Sequence, residues 1–214
     1  MFERNGRRKT REQLSKHRIP ELGHYFIVTD TTETEQNYFY GIRDSIPSEL
    51  RGRLVIQVLR TRTVDLINEA LNMASLHPQY GQVWIIFDRD QVKDFDKIIK
   101  RAADKGVNVG WSNPCIEIWF SAYLGTMPWH QDSVSCCKGF AHSFEKITGQ
   151  KYEKSDKKIY QKLIHYGNEK HAVEIAKNKI EEHKRNYKYK PSDMCPATTV
   201  HILVEEISEK IEND

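Results

Sequence analysis

The sequence predicts an α/β protein: a parallel sheet of about four strands flanked by helices, with a helical C-terminal appendage. Three observations carry this. Short apolar runs bounded by polar residues recur over 24–29, 54–59, 83–87 and 107–111. Between them lie stretches with apolar residues at helical spacing, so strand and helix alternate along the first 124 residues. The run Val83-Trp84-Ile85-Ile86-Phe87 is continuous rather than alternating, which marks a strand buried on both faces. Strand, helix, strand repeated in this way implies a parallel sheet covered on both sides.

In chain order, residues 1–20 hold few apolar side chains and read as a basic N-terminal arm. His24-Tyr25-Phe26-Ile27-Val28-Thr29 is the first strand, and Asp30 stands at its end. Thr32 and Glu35 have the capping-box spacing, so a helix is expected to start there and to turn Tyr38, Phe39 and Ile42 inward. After the strand over 54–59, Thr63 or Asp65 opens a helix whose buried side carries Leu66, Ile67, Ala70 and Leu71. The third strand ends abruptly in Asp88-Arg89-Asp90, and an amphipathic helix over 94–105 follows. After the strand over 107–111, Asn113 is expected to cap a helix with Pro114 in its first position. That helix, over 115–124, is apolar nearly all round and holds one charge, Glu117.

Beyond Leu124 the pattern changes. Residues 125–139 read as irregular, 140–148, 156–165 and 168–185 as helices, 186–196 as a basic loop, and 198–212 as a last helix. The expected organisation is thus an arm over 1–20, an α/β domain over 21–124 and a helical region over 125–214 packed on it. A chain of 214 residues can hold one sizeable core with such an appendage.

A content of 38% hydrophobic and 29% charged residues is that of a soluble globular protein. No apolar run approaches a membrane span and the basic start lacks a signal-peptide apolar region, so a cytoplasmic protein with no membrane partner is expected. The four cysteines make no disulfide framework at this length, and no pair has the C-x-x-C spacing of a zinc site. The net charge of +3 is unevenly spread. Residues 1–18 carry seven Lys or Arg against two Glu, and 177–190 carry six against two, so the remaining body is net negative. Each basic run is either a solvated face or a footprint for a phosphate backbone.

In a parallel sheet the strands' carboxyl ends share one edge, where ligands bind. Asp30, Asp88 and Asp90 therefore fall on the same edge. Converging acids repel one another unless a cation joins them, and hard oxygen donors suit Mg²⁺ or Mn²⁺. Glu117 competes between two roles. An acid in the first helical turn is favoured by the helix dipole, whereas apolar neighbours imply a buried carboxylate that needs a cation. Two other D-x-D classes fit less well. Haloacid-dehalogenase phosphatases place the motif after the first strand, and sugar-nucleotide transferases lack the upstream acid and the Ser112-Asn113-Pro114 block. No G-x-x-x-x-G-K-[ST] phosphate loop occurs.

Several blocks resemble the RloB-like family, a branch of the Toprim fold. They are Tyr25-Phe26-Ile27-Val28-Thr29-Asp30, Thr34-Glu35-Gln36-Asn37-Tyr38-Phe39, the 83–90 strand with its acids, and Pro196-Ala197-Thr198-Thr199-Val200. The most specific is Ser112-Asn113-Pro114-Cys115-Ile116-Glu117-Ile118-Trp119. In Toprim proteins the first strand usually ends in Glu then Gly; here Asp30 and Thr31 stand in those places, keeping the charge and losing one methylene of reach.

The resemblance implies a Toprim-like sheet and a Mg²⁺- or Mn²⁺-dependent nuclease acting on DNA or RNA in bacterial anti-phage defence, beside a partner ATPase. Asp88 and Asp90 would hold the metal, Asp30 would be a further ligand or general acid/base, and Glu117 would complete the catalytic set. Arg89, Lys93, Lys184, Arg185, Lys188 and Lys190 are the candidate nucleic-acid contacts. The competing expectation is a non-catalytic metal-binding or nucleic-acid-sensing subunit that regulates the ATPase.

Overall fold

The computed structural model describes residues 20–30, 33–76, 81–90 and 92–213. The arm expected over 1–20 lies, apart from Pro20, outside the described residues, as does Thr32. Strands β1 (Gly23–Thr29), β2 (Leu54–Arg60), β3 (Gln82–Asp88) and β4 (Asn108–Asn113) form the parallel part of the sheet. A fifth strand, β5 (Ala197–Thr198), adds to β4 in the antiparallel sense, giving the order β2-β1-β3-β4-β5. Two residues are too few to leave a periodic signal, which is why sequence alone gives about four strands.

The connecting helices are α1 (Thr34–Ser45), α2 (Leu66–Leu76, entered through a 3₁₀ turn at Thr63–Asp65), α3 (Phe95–Asp104) and α4 (Glu117–Tyr123). The strands' side-chain alternation splits the core in two. Tyr25, Ile27, Trp84 and Ile86 face α1, α4 and the C-terminal helices. Phe26, Val28, Ile85 and Phe87 face α2 and α3, with Leu66, Ala70, Phe95 and Ala102. Both faces of β3 are covered, as its unbroken apolar run requires.

The C-terminal helices are α5 (Ser133–Thr148), α6 (Ile159–Tyr166), α7 (Glu169–Arg185) and α8 (Val200–Glu212). They share the first core with the sheet through Phe140, Leu163, Ala176 and Leu203. A buried polar chain stitches the two regions together. Trp119 Nε1 donates to Tyr38 Oη at 2.8 Å, Tyr38 Oη lies 2.7 Å from Tyr123 Oη, and Tyr123 donates to Glu169 Oε2 at 2.7 Å. Ser208 of α8 donates to the other Glu169 oxygen at 2.7 Å. Each polar side-chain atom of this chain of bonds thereby keeps a partner.

Three local expectations change. Helix α5 starts at Ser133, inside the stretch read as irregular, because Asp132 and Ser135 form a reciprocal capping box. Its first turns are rich in Ser and Cys, weak helix formers that hide the start from periodicity. Pro114 is not the first helical residue: β4 runs through Asn113, whose amide donates to the carbonyls of Pro191 and Ser192, and α4 begins at Glu117. The N-cap position of α1 is Glu33, with no side-chain cap bond, and Glu35 is buried instead of capping. Among the described residues no helix is long and apolar enough to cross a membrane.

Candidate active site

The chain passes from β1 outward to β2, then crosses back over β1 to β3. The carboxyl ends of β1 and β3 therefore flank the switch point of the sheet, where ligand crevices form in α/β folds. Thr29 pairs with Ile86 and Asp88 pairs with Ser112, so Asp30 and Asp88 leave the sheet at the same edge. A cleft of about 360 Å³ opens there, with Asp30, Glu35, Asp88, Asp90 and Glu117 in its wall. Sequence reasoning brought four of these acids together. Glu35 is the fifth: its capping-box spacing favours a cap over a role in the site. It sits in the first turn of α1 and lines the cleft with Asp30, and 1% of its surface is exposed.

Each carboxylate is anchored on one side. Asp30 Oδ2 accepts from Thr63 Oγ1 at 2.9 Å, and Asp88 Oδ2 accepts from the Ile116 N–H at 3.0 Å. Glu117 Oε1 accepts from Tyr152 Oη at 3.0 Å and lies 3.5 Å from Lys154 Nζ. The remaining oxygens, Asp30 Oδ1, Asp88 Oδ1 and Glu117 Oε2, are buried with no hydrogen-bond partner. Asp90 differs: it is exposed, at φ 26°, and its Oδ1 accepts from Ser133 Oγ at 2.6 Å. Asp tolerates that left-handed backbone better than most residues, and the Asp90 N–H is held by the Pro114 carbonyl at 3.1 Å.

Burial and mutual repulsion shape the titration of the cluster. Asp30 is pushed up to about 6, chiefly by burial, against the opposing Thr63 hydrogen bond. Glu35 is pushed up to about 8 by burial and then by the charges of Asp30 and Glu117. Asp88 is held well above the usual carboxylate range by burial, then by Glu35, Glu117 and Asp30. Clustered acids cannot all ionise together without a cation, so part of the cluster keeps its protons.

Asp30, Asp88 and Glu117, each with one buried carboxylate oxygen left without a partner, line the same cleft, and oxygen donors of this kind suit a hard divalent cation, but among the described residues no three acids bring their oxygens within 4.8 Å of one another. Folding also brings together donors that spacing does not reveal. Cys115, Glu117 and Cys137 offer atoms within 4.8 Å of one another, with the two sulfurs 4.0 Å apart. In the metal-free chain both thiols are pushed up, Cys115 first by its contact with Cys136 and Cys137 first by its contact with Cys115. Cys115 lines the cleft together with the acids, so sulfur and oxygen donors meet there.

The basic residues spread out. Arg89 sits beside the cleft near Asn113 and Asp132, whereas Lys93 is exposed and does not line it. Lys184 is paired with Glu181 at 2.7 Å, and Lys177 and Lys179 are paired with Glu205 and Glu182. Arg185, Lys188 and Lys190 are exposed and form no salt bridge among the described residues. Within the cleft wall the cation is Lys154, which no sequence motif marked.

The fold and the acid-lined crevice at its switch point define a Toprim-like α/β protein. A family model described as RloB-like protein matches residues 25–207, and the chain belongs to that family. No curated protein and no solved structure matches it.

Proposed function

We propose that this chain is a Mg²⁺-dependent, Toprim-type nuclease that hydrolyses phosphodiester bonds of DNA or RNA in bacterial anti-phage defence. The observation that supports it most is the meeting in one cleft wall of Asp30, Asp88 and Glu117, from the end of β1, from β3 and from α4, each with one buried carboxylate oxygen that lacks a partner. Asp88 and Asp30 are the candidate metal ligands, with Glu117 beside them; Asp90 would join by releasing Ser133. A bound divalent cation polarises a phosphate and lowers the pKa of an attacking water.

The chain's own groups supply the rest. The Ile116 N–H and the Thr63 hydroxyl fix the Asp88 and Asp30 carboxylates, so neither must reorganise when substrate arrives. If Asp30 does not ligate the metal it is the candidate general base: it takes the proton of the water whose oxygen attacks phosphorus as the ester P–O bond breaks, and the leaving oxygen takes a proton from solvent. Lys154, 58% exposed along its side chain, can turn from Glu117 toward the phosphate and balance its charge. The family resemblance adds a partner ATPase, in keeping with the absence of a phosphate loop from this sequence.

A second reading is a metal-binding or nucleic-acid-sensing subunit without catalysis. It is favoured by Asp30, which is shorter than the usual Glu and already has one oxygen committed to Thr63. Incubating purified protein with plasmid, single-stranded DNA and tRNA, with Mg²⁺, Mn²⁺ or chelator, separates the two. Metal-dependent cleavage lost in Asp88→Asn supports the nuclease. Metal binding without cleavage, alone and with the partner ATPase, supports the second reading.

A further inference from the structure

The loop over 186–190, Asn186-Tyr187-Lys188-Tyr189-Lys190, alternates aromatic and cationic side chains, and none of them is used by the core. Tyr187 is 84% exposed and Tyr189 66% exposed. Large exposed aromatics add nothing to folding, yet the backbone holds them in a defined turn. The Asn186 and Lys188 N–H groups both donate to the His183 carbonyl at 3.0 Å, and the Tyr187 N–H donates to Lys184 at 3.0 Å. Tyr187 itself sits at φ 60°, a left-handed conformation unusual for a bulky residue. Below the turn His183 is buried and its Nε2 lies 3.0 Å from the Pro196 carbonyl, which braces the loop on the segment leading into β5.

The loop leads into a turn held at the edge of the sheet where the acid cleft opens. The 3₁₀ turn that follows it, Pro191–Asp193, is tied to the end of β4 by the Asn113 amide, at 3.2 Å to Pro191 and 3.3 Å to Ser192. After that turn, the Cys195 Sγ meets the His130 carbonyl at 3.6 Å. Asn113 lines a small pocket with Arg89 and Asp90, so the turn that follows the loop meets the rim on which Asp90 stands.

We propose that this loop is a stacking platform for unpaired bases, which makes the ligand delivered to the cleft a single-stranded nucleic acid. Resting on the nuclease reading, this narrows its substrate class. Aromatic faces accept any base, and ammonium groups between them follow the backbone phosphates, a combination typical of sequence-tolerant single-strand binding. In a duplex the base faces are occupied by neighbouring pairs, so the rings would have nothing to stack on.

The test is binding in chelator, where no cleavage occurs, by fluorescence anisotropy on labelled single-stranded DNA, single-stranded RNA and a blunt duplex. The intact chain should bind at least one single strand more tightly than the duplex. Tyr187→Ala with Tyr189→Ala should weaken that binding about tenfold or more with the salt dependence unchanged. Tyr187→Phe with Tyr189→Phe should keep it, since stacking needs the ring and not the hydroxyl. Equal binding of duplex and single strands, no binding of either strand, or an alanine pair that binds like the intact chain would overturn the proposal. In the no-binding case the tyrosines would be left to a protein partner. Because the assay needs no chemistry, tyrosine-dependent binding by a protein that never cleaves would defeat the nuclease reading alone. Cleavage indifferent to the tyrosines on single strands would defeat this inference alone.

Discussion

The Asp88 carboxylate is divided: one oxygen receives the Ile116 N–H that opens α4, at 3.0 Å, and the other is buried with no partner in a residue that lines the cleft. The strand that supplies the acid and the helix that supplies Glu117 are therefore locked together by the candidate ligand itself. The two substitutions that remove the charge should then part company. Asp88→Asn keeps an oxygen for Ile116 and should fold with an unchanged or higher melting temperature without metal, because crowding among acids is relieved, while losing metal-dependent cleavage. Asp88→Ala should lose cleavage and also about 1 kcal/mol of stability with the cap. Urea unfolding beside a cleavage assay checks both; equal stability of the two variants would show that the cap contributes little.

Asp30 separates reach from charge. Asp30→Glu restores the methylene found in most Toprim proteins and should retain or raise cleavage. Asp30→Asn keeps the size and should lose it. Single-turnover cleavage rates at saturating Mg²⁺ measure the difference. Full activity in Asp30→Asn would remove this residue from the chemistry and leave Asp88 and Glu117 as the core of the site.

The raised carboxyls predict an unusual pH profile. Asp30 moves from the ordinary 3.8 to about 6, and Glu35 from 4.5 to about 8. The folded protein thus holds these protons more tightly than the unfolded chain does. Their contribution is complete below pH about 4 and is lost as pH rises through the folded values. Metal-free protein should therefore become less stable between pH about 4 and about 8, and Glu35→Gln should flatten the upper part of that slope. A bound cation displaces the same protons, so the gain in melting temperature on adding Mg²⁺ should be larger at pH 8 than at pH 5.5. Scanning calorimetry with chelator or Mg²⁺ at both pH values decides it; a gain independent of pH would mean the cation does not bind these acids.

The basic segment should be functionally divided. Lys184 is already paired with Glu181, whereas Lys188 and Lys190 have no salt-bridge partner among the described residues. Lys188→Gln with Lys190→Gln should reduce the slope of log affinity against log salt by about one to two. Lys184→Gln should change it little. A slope that responds equally to all three would return the segment to a diffuse, solvated charge.

A partner ATPase should meet the exposed residues of the C-terminal region, of which Trp129, 67% exposed, is the largest apolar side chain. Native-level co-purification should recover it from the source cells, and Trp129→Ala should weaken that recovery. Full defence activity by the isolated chain would count against the partnership.

The sequence by itself determined the sheet, because burying β3 on both faces demands an unbroken apolar run and the helices around it need a 3.6-residue period. It also placed Asp30 and Asp88 at one edge, since parallel strands share the direction in which they end. Periodicity could not announce β5, with only two residues, nor the start of α5, which rests on the Asp132 and Ser135 cap. Tertiary structure alone decided the fate of Glu35. Its spacing from Thr32 is that of a capping residue, but α1 lies across the end of β1 and carries the carboxylate into the cleft. It likewise decided which lysines are neutralised, brought Tyr152 and Lys154 to Glu117 from 35 and 37 residues away, and left three acid oxygens without partners. Local sequence sets where a side chain points along its own helix or strand. Which other chain segment it then meets depends on how those elements pack, and that is where this site is made.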